Sequence, residues 1–312
     1  MNKTSLTQYI KEAVAAAGFD ACGTAPVAPL TAETAQLRQW LADGRHAGMT
    51  YMERYTDRRE NPALLLDGAR SVVVMLYSYK PPATQPPDAP KIAYYAYGRD
   101  YHDVIRHKLK TVIASVAAAC PEVRLRGFVD SAPVLEKAWA VRAGLGWIGK
   151  NCLLVSPRFG SFTFIAELLV TAELDYNTPT AASRCGSCRR CLDACPGGAL
   201  DAYRIDANRC ISYHNKRKGN NGIDIGRYCF GCDCCQLACP WNFAAPTHRH
   251  AGWTIPEIVR FSAADWQGLD EAAFNRIFAQ SALRETGFSK LQSNWNTCLG
   301  KQPSTSRRCP GN

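Results

Sequence analysis

Cysteine is the residue whose spacing says most about chemistry in this chain. Cys185-Gly-Ser-Cys188-Arg-Arg-Cys191-Leu-Asp-Ala-Cys195-Pro196 repeats the C-x2-C-x2-C-x3-C-P run that binds 4Fe-4S clusters in pairs. Three closely spaced thiolates can wrap one corner of a cube, while the fourth starts a helix that points it at a second cube. The return half, Cys232-Asp-Cys-Cys235-Gln-Leu-Ala-Cys239-Pro240, keeps C-x2-C-x3-C-P and gives Cys239 back to the first cluster. The spacing therefore assigns Cys185, Cys188, Cys191 and Cys239 to one cluster, and Cys195, Cys210, Cys232 and Cys235 to the other. Cys229 and Cys234 stand as alternative ligands. Paired C-x2-C also suits zinc, but four cysteines within eleven residues, ending in Cys-Pro, exceed what one zinc takes. Two clusters at close range imply one-electron transfer.

The rest of the composition fits a folded enzyme around that module. At 312 residues the chain allows about two domains on a prior of roughly 150 residues each. Fifteen cysteines, most of them between Cys185 and Cys239, argue for metal ligation over a disulfide framework, because Met1 to Asp20 lacks the apolar core of a secretory signal and a cytoplasmic location is expected. The longest apolar runs, Ser71 to Tyr79 and Phe162 to Val170, reach about half the ~20 residues of a membrane-spanning helix, so no membrane partner is expected. A formal net charge of +10 suits an anionic partner. Neither a G-x-G-x-x-G turn nor a Walker loop offers a nucleotide or flavin site, so whatever accepts the electrons binds in another way.

The elements that must position these groups alternate between helix and strand. Helices are predicted over Ser5 to Ala17 (capped by Thr4 or Ser5), Thr31 to Asp43, Tyr101 to Ala119 and Pro133 to Ala143. Strands are predicted over Ser71 to Ser78, Ile92 to Tyr97, Val123 to Val129, Asn151 to Ser156 and Ser161 to Ala172, the last two joined by a Pro157, Gly160 turn. Pro81 to Pro90 must be a loop. Thr178 to Ala182 reads as a linker, which divides the chain into a domain over 1–177, a cluster domain over 178–245 and a helical segment over 246–312 with short helices at Ile255 to Phe261 and Asp270 to Phe278.

The cysteine pattern is preceded by Val129-Asp-Ser-Ala-Pro-Val-Leu-Glu136 and Ala143-Gly-Leu-Gly-Trp-Ile-Gly-Lys-Asn151, and accompanied by Tyr97-Gly-Arg-Asp-Tyr-His102, Pro157-Arg-Phe-Gly-Ser161, Arg209-Cys-Ile-Ser-Tyr213 and Cys239-Pro-Trp-Asn242. With these motifs the chain resembles the epoxyqueuosine reductases over roughly residues 5 to 280. The resemblance implies an α/β cobalamin-binding domain, a ferredoxin-like domain with two 4Fe-4S clusters, and a helical C-terminal part. It also implies reduction of the epoxide of epoxyqueuosine to queuosine at the wobble position of tRNAs for Tyr, His, Asn and Asp, the last step of that modification. Further implications are an external one-electron donor of ferredoxin or flavodoxin type and a monomeric protein. Asp130 matches the family's proton donor and a cofactor contact. Arg59, Lys150, Asn151, Cys152, Leu154, Ile165 and Ser212 match cobalamin contacts, with no protein histidine beneath the cobalt.

Bottom-up, each of these residues also has an ordinary role. Asp130 could cap a helix starting at Pro133. As an acid it would need burial to stay protonated, because an ordinary aspartate, with pKa about 3.9, is ionised at neutral pH. The glycines at 144, 146 and 149 suit either a tight turn or close approach of a cofactor. Ile165 reads as core, and His102 as part of a helix start. Arg184, Arg189 and Arg190, His214 to Lys218, and His248 to His250 could contact phosphates around an anticodon loop, though each alone reads as a solvated face. Reduced cobalt could attack carbon or pass an electron, and the residues do not choose between the routes. After Tyr213 the family's apolar and acidic segment is replaced by His214-Asn-Lys-Arg-Lys-Gly219, and from Gln292 to Asn312 the sequence departs from the family's pattern, as expected of a truncation or a shifted frame. A dehalogenase-like reductase of a small molecule and a ferredoxin-type electron carrier are the alternatives. The missing export signal and basic stretches weigh against the first, and nearly 180 residues before the clusters against the second.

Overall fold

The computed structural model describes residues 1–180, 182–217, 222–300 and 309. Expectations that fall on Ala181, Lys218 to Asn221 and the C-terminal residues beyond Gly300 other than Cys309 lie outside them. The chain forms two compact units, one from Met1–Ser78, His102–Gly149 and Leu153–Gly186, the other from Tyr79–Tyr101, Lys150–Cys152 and Ser187–Asn312. Tyr79–Tyr101 joins the second unit because Lys91–Ile92 pairs in parallel with Tyr228–Phe230.

The first unit is built on a four-stranded sheet in the order Ala21–Pro26, Ser71–Ser78, Thr163–Val170, Leu125–Phe128. Every pairing is antiparallel. Ser71–Ser78 is buried along its whole length, as its run of β-branched residues requires of a strand covered on both faces. On one face Leu168 lies across from Gly127, where an added Cβ would come within 3.3 Å of Leu109 and 3.4 Å of Ile113 of the helix Tyr101–Ala119. On the other, Val72, Val74, Leu76, Phe128, Ile165 and Leu169 form one apolar core with Trp139, Ala140 and Leu154.

Several predicted elements change. The first helix, Lys3–Ala16, is capped by Asn2, whose side chain accepts the Ser5 N–H at 2.8 Å, and not by Thr4 or Ser5. The strand expected over Ile92 to Tyr97 stops at Ile92, and a 3-10 turn covers Tyr94–Ala96. Side chains have taken the strand's donors: Gln85 Oε1 accepts the Ile92 N–H at 2.7 Å, and Asp233 Oδ2 the Tyr94 N–H at 2.6 Å. The helix expected from Pro133 begins at Glu136, because the preceding residues fold into successive tight turns. The Pro157, Gly160 turn is present, with Ser156 and Gly160 exchanging backbone hydrogen bonds at 2.8 and 3.0 Å, but the strands on either side part from it, Leu154–Val155 pairing with Trp147–Ile148 and Thr163–Val170 entering the main sheet.

The second unit packs short helices around an aromatic core. Trp266 and Trp295 lie 5.4 Å apart, Phe274 and Phe278 5.2 Å. Trp295 belongs to a helix, Phe288–Leu299, that the sequence reading did not anticipate, although Leu291, Trp295 and Cys298 recur at helical spacing on its buried face. Asn215 is fully buried and ties the chain ahead of Cys232: its amide donates to Tyr228 O at 3.0 Å and Gly231 O at 2.7 Å, and accepts the Gly231 N–H at 3.0 Å. Asn215→Ala leaves these three backbone groups without partners, and is expected to lower stability by about 2–4 kcal/mol in anaerobic denaturant unfolding. A loss under about 1 kcal/mol would show that the bonds are replaced.

Candidate active site

Asp130 follows directly from the strand Leu125–Phe128 and sits at φ +54°, in the left-handed region. That backbone costs a residue with a Cβ roughly 1–2 kcal/mol. The Ser131 N–H bonds across it to the Val129 carbonyl at 2.6 Å, closing a three-residue turn. Asp130 is therefore not a helix cap: Leu135 precedes the first helical residue, and no side chain caps that helix. The turn instead presents the carboxyl, with Oδ2 3.1 Å from Nε2 of His102 in the first turn of Tyr101–Ala119.

Around Asp130 two further carboxyls are desolvated by the fold itself. The Asp130 side chain is 55% exposed. Glu136, whose Oε1 accepts the Asp130 N–H, has its carboxyl pushed up to about 8, first by burial and then by the Asp130 charge. Glu167 is fully buried in the strand Thr163–Val170, opposite Val74 on one side and Phe128 on the other. Neither of its carboxyl oxygens has a hydrogen-bond partner among the described residues. Burial, then Glu136 and Asp130, hold it well above the usual carboxylate range, which favours its proton-carrying form. An acid interrupting an apolar strand was the available signal for Glu167; nothing local marks its meeting with Glu136 and Asp130, or His102 as a partner of Asp130.

The other predicted contacts divide between the units. In the first, Arg59 is buried in the helix Thr56–Glu60 with its Nη2 3.4 Å from Tyr51 O, and its Nε has no partner among the described residues. Burial lowers its pKa. A buried donor left open suits a ligand rich in acceptors, such as the amides and phosphate of a cobalamin, so this residue fits the cofactor. Leu154 and Ile165 belong to the apolar core. In the second, Lys150 Nζ donates to Cys188 O at 3.0 Å, Asn151 is buried, Cys152 adopts φ +63°, and Ser212 lies in the short helix Ile211–His214. Gly144 and Gly146 serve the fold itself: a Cβ on them would meet Thr178 O at 2.6 Å and Val155 O at 2.3 Å.

Among the cysteines, burial raises Cys210 and Cys235, and both feel Cys232 and Cys195, while Cys235 also feels Cys210. The four thiols assigned by spacing to the second cluster thus converge. Cys239 opens the helix Pro240–Phe243, whose end is held by Lys80 Nζ donating to Asn242 O at 2.7 Å and Ala245 O at 2.5 Å. Cys195 follows a helix, Arg190–Asp193, instead of starting one. Cys229 and Cys234 are buried in the aromatic core.

Residues 59–131 match the family model for epoxyqueuosine reductase QueG, DUF1730, and residues 184–242 the model for a 4Fe-4S double cluster binding domain. The epoxyqueuosine reductase of Cyclobacterium marinum is 40% identical over 296 residues, spanning 92% of this chain and 95% of its own. That of Cellulophaga algicola is 38% identical over 299 residues, spanning 94% and 97%. The chain belongs to the epoxyqueuosine reductase family. A solved epoxyqueuosine reductase with an epoxyqueuosine-modified tRNA-Tyr stem loop matches with a TM-score of 0.84 at 28% identity, over 96% of this chain and 82% of that one.

For an epoxyqueuosine reductase, the basic stretches are unequal. Arg189 is exposed, its ion pair with Asp193 a loose 3.8 Å, whereas His248 is buried and stacked on His250 with ring centres 5.5 Å apart. His248 is therefore structural. Among the described residues no helix is long and apolar enough to cross a membrane.

Proposed function

We propose that this chain reduces the epoxide of epoxyqueuosine to the alkene of queuosine at the wobble position of tRNA, with the Tyr, His, Asn and Asp tRNAs as acceptors. The reaction consumes two electrons and two protons and releases the epoxide oxygen as water. The observation that carries this reading is kinship with epoxyqueuosine reductases along nearly the whole chain, on a fold shared with a relative solved on its modified stem loop.

Two 4Fe-4S clusters and a cobalamin, when bound, supply single electrons and the reductant at the carbon–oxygen bond. The protein supplies geometry and protons. Asp130 gives a proton to the departing oxygen, and His102 orients its carboxyl. Arg59, Lys150, Asn151, Cys152, Leu154, Ile165 and Ser212 hold the corrin. Cys185, Cys188, Cys191 and Cys239 hold one cluster, and Cys195, Cys210, Cys232 and Cys235 the other; the convergence of the latter four supports the assignment. Residues 1–177 then form the catalytic domain, 178–245 the cluster domain and 246–312 a helical segment, in a cytoplasmic monomer fed by a ferredoxin or flavodoxin.

Anaerobic reconstitution with iron, sulfide and cobalamin, followed by incubation with epoxide-bearing tRNA and a low-potential chemical reductant (dithionite with methyl viologen) and nucleoside analysis, is expected to show conversion to queuosine. Fully loaded protein that leaves the epoxide intact overturns the reading. Cys235→Ala is expected to lose about half the bound iron, as one of two cubes fails to assemble. A full complement in that variant would move the ligand to Cys229 or Cys234.

A further inference from the structure

The Asp130 turn has a strained centre and little backbone support. Two short backbone bonds shape it, Ser131 N–H to Val129 O and Val134 N–H to Ala132 O, and the residues from Ser131 to Leu135 belong to neither helix nor strand. Side chains add the rest: His102 reaches the Asp130 carboxyl, and Arg106 reaches Ser131 Oγ at 3.4 Å. Glu136 takes hold of the Asp130 backbone itself, accepting its N–H. Glu136 opens a helix whose Trp139 and Ala140 are buried in the apolar core, so this bond ties the turn to a fixed frame.

We propose that Glu136 is a positioning residue, whose carboxyl accepts the Asp130 amide hydrogen and so holds the Asp130 carboxyl where the proton must be delivered. The proposal rests on the reading of Asp130 as the acid. Facing Glu136 are the carboxyls of Asp130 and Glu167, Lys137 beside it in the helix, and His102. With its carboxyl titrating at about 8, Glu136 is mostly neutral at pH 7 and uses a carbonyl-type oxygen as the acceptor. Glutamine offers the same oxygen on the same stem. Methionine fills the same space and offers none.

The test is amide hydrogen exchange at Asp130, read beside kcat and KM in the reconstituted enzyme. Glu136→Gln is expected to keep the Asp130 amide protected and kcat within about threefold. Glu136→Met is expected to speed exchange at Asp130 by ~10-fold or more, leave amides of the strand Thr163–Val170 unchanged, and lower kcat by ~10²-fold at unchanged KM. A general loss of protection in Glu136→Met, with Asp130 no faster than the strand, would make Glu136 merely structural and overturn the proposal. So would unchanged exchange at Asp130, or a glutamine variant as slow as the methionine one. An active Asp130→Asn enzyme sinks the acid reading instead, and the exchange measurement, which needs no turnover, separates the two failures.

Discussion

Asp130→Asn is expected to bind cobalamin, clusters and tRNA as the parent does and to lose ~10²–10⁴-fold in kcat with KM little changed, the range that removal of a general acid produces. Asparagine is the informative replacement because of the backbone. At φ +54° most side chains are strained, whereas asparagine tolerates the left-handed region well, so the turn and the approach to His102 persist. Only the transferable proton is lost. The carboxyl is half-exposed, and any bound group that covers it from water would favour its proton-carrying form. The measurement is single-turnover conversion of epoxide-bearing tRNA by anaerobically loaded variant and parent. Conversion within about threefold of the parent would remove Asp130 from the chemistry.

What could be read from sequence follows how local the cause is. Cysteine spacing encodes a constraint within a few residues, so Cys232 and Cys235 can be paired from C-x2-C alone, whereas the fold brings Cys195 and Cys210 to them. Ser71–Ser78 was equally plain, because eight buried positions need eight residues that tolerate burial on both faces. Ile92 to Tyr97 misled because its donors bond to Gln85 and to Asp233, the latter more than a hundred positions away. Asp130 stands out through a motif, and residue type alone also suits a helix cap there. The turn geometry that excludes it from capping, and the acids beneath it, come from helix and strand segments that only the sheet register brings together.

That same register makes stability depend on pH in a direction opposite to the usual carboxylate. Glu136 is raised from 4.5 to about 8 and Glu167 well above 4.5, so in this window the folded chain keeps protons that the unfolded chain releases. Stability from these groups is therefore full below about pH 4.5 and is lost as pH rises toward the folded values, by up to ~1.4 kcal/mol per pH unit for each group. Glu167→Gln removes one of the two titrations. Its amide sits in the same apolar setting, between Val74 and Phe128, so any packing penalty is independent of pH and shifts the whole curve. The slope carries the information. Between pH 5.5 and 8 the parent is expected to lose stability more steeply than the glutamine variant, seen as a larger fall of its anaerobic melting midpoint over the same range. Curves that run parallel over this range would mean that Glu167 is already ionised in the folded protein, with an unseen cation or donor beside it, and the neutral acid beneath the Asp130 turn would have to be given up.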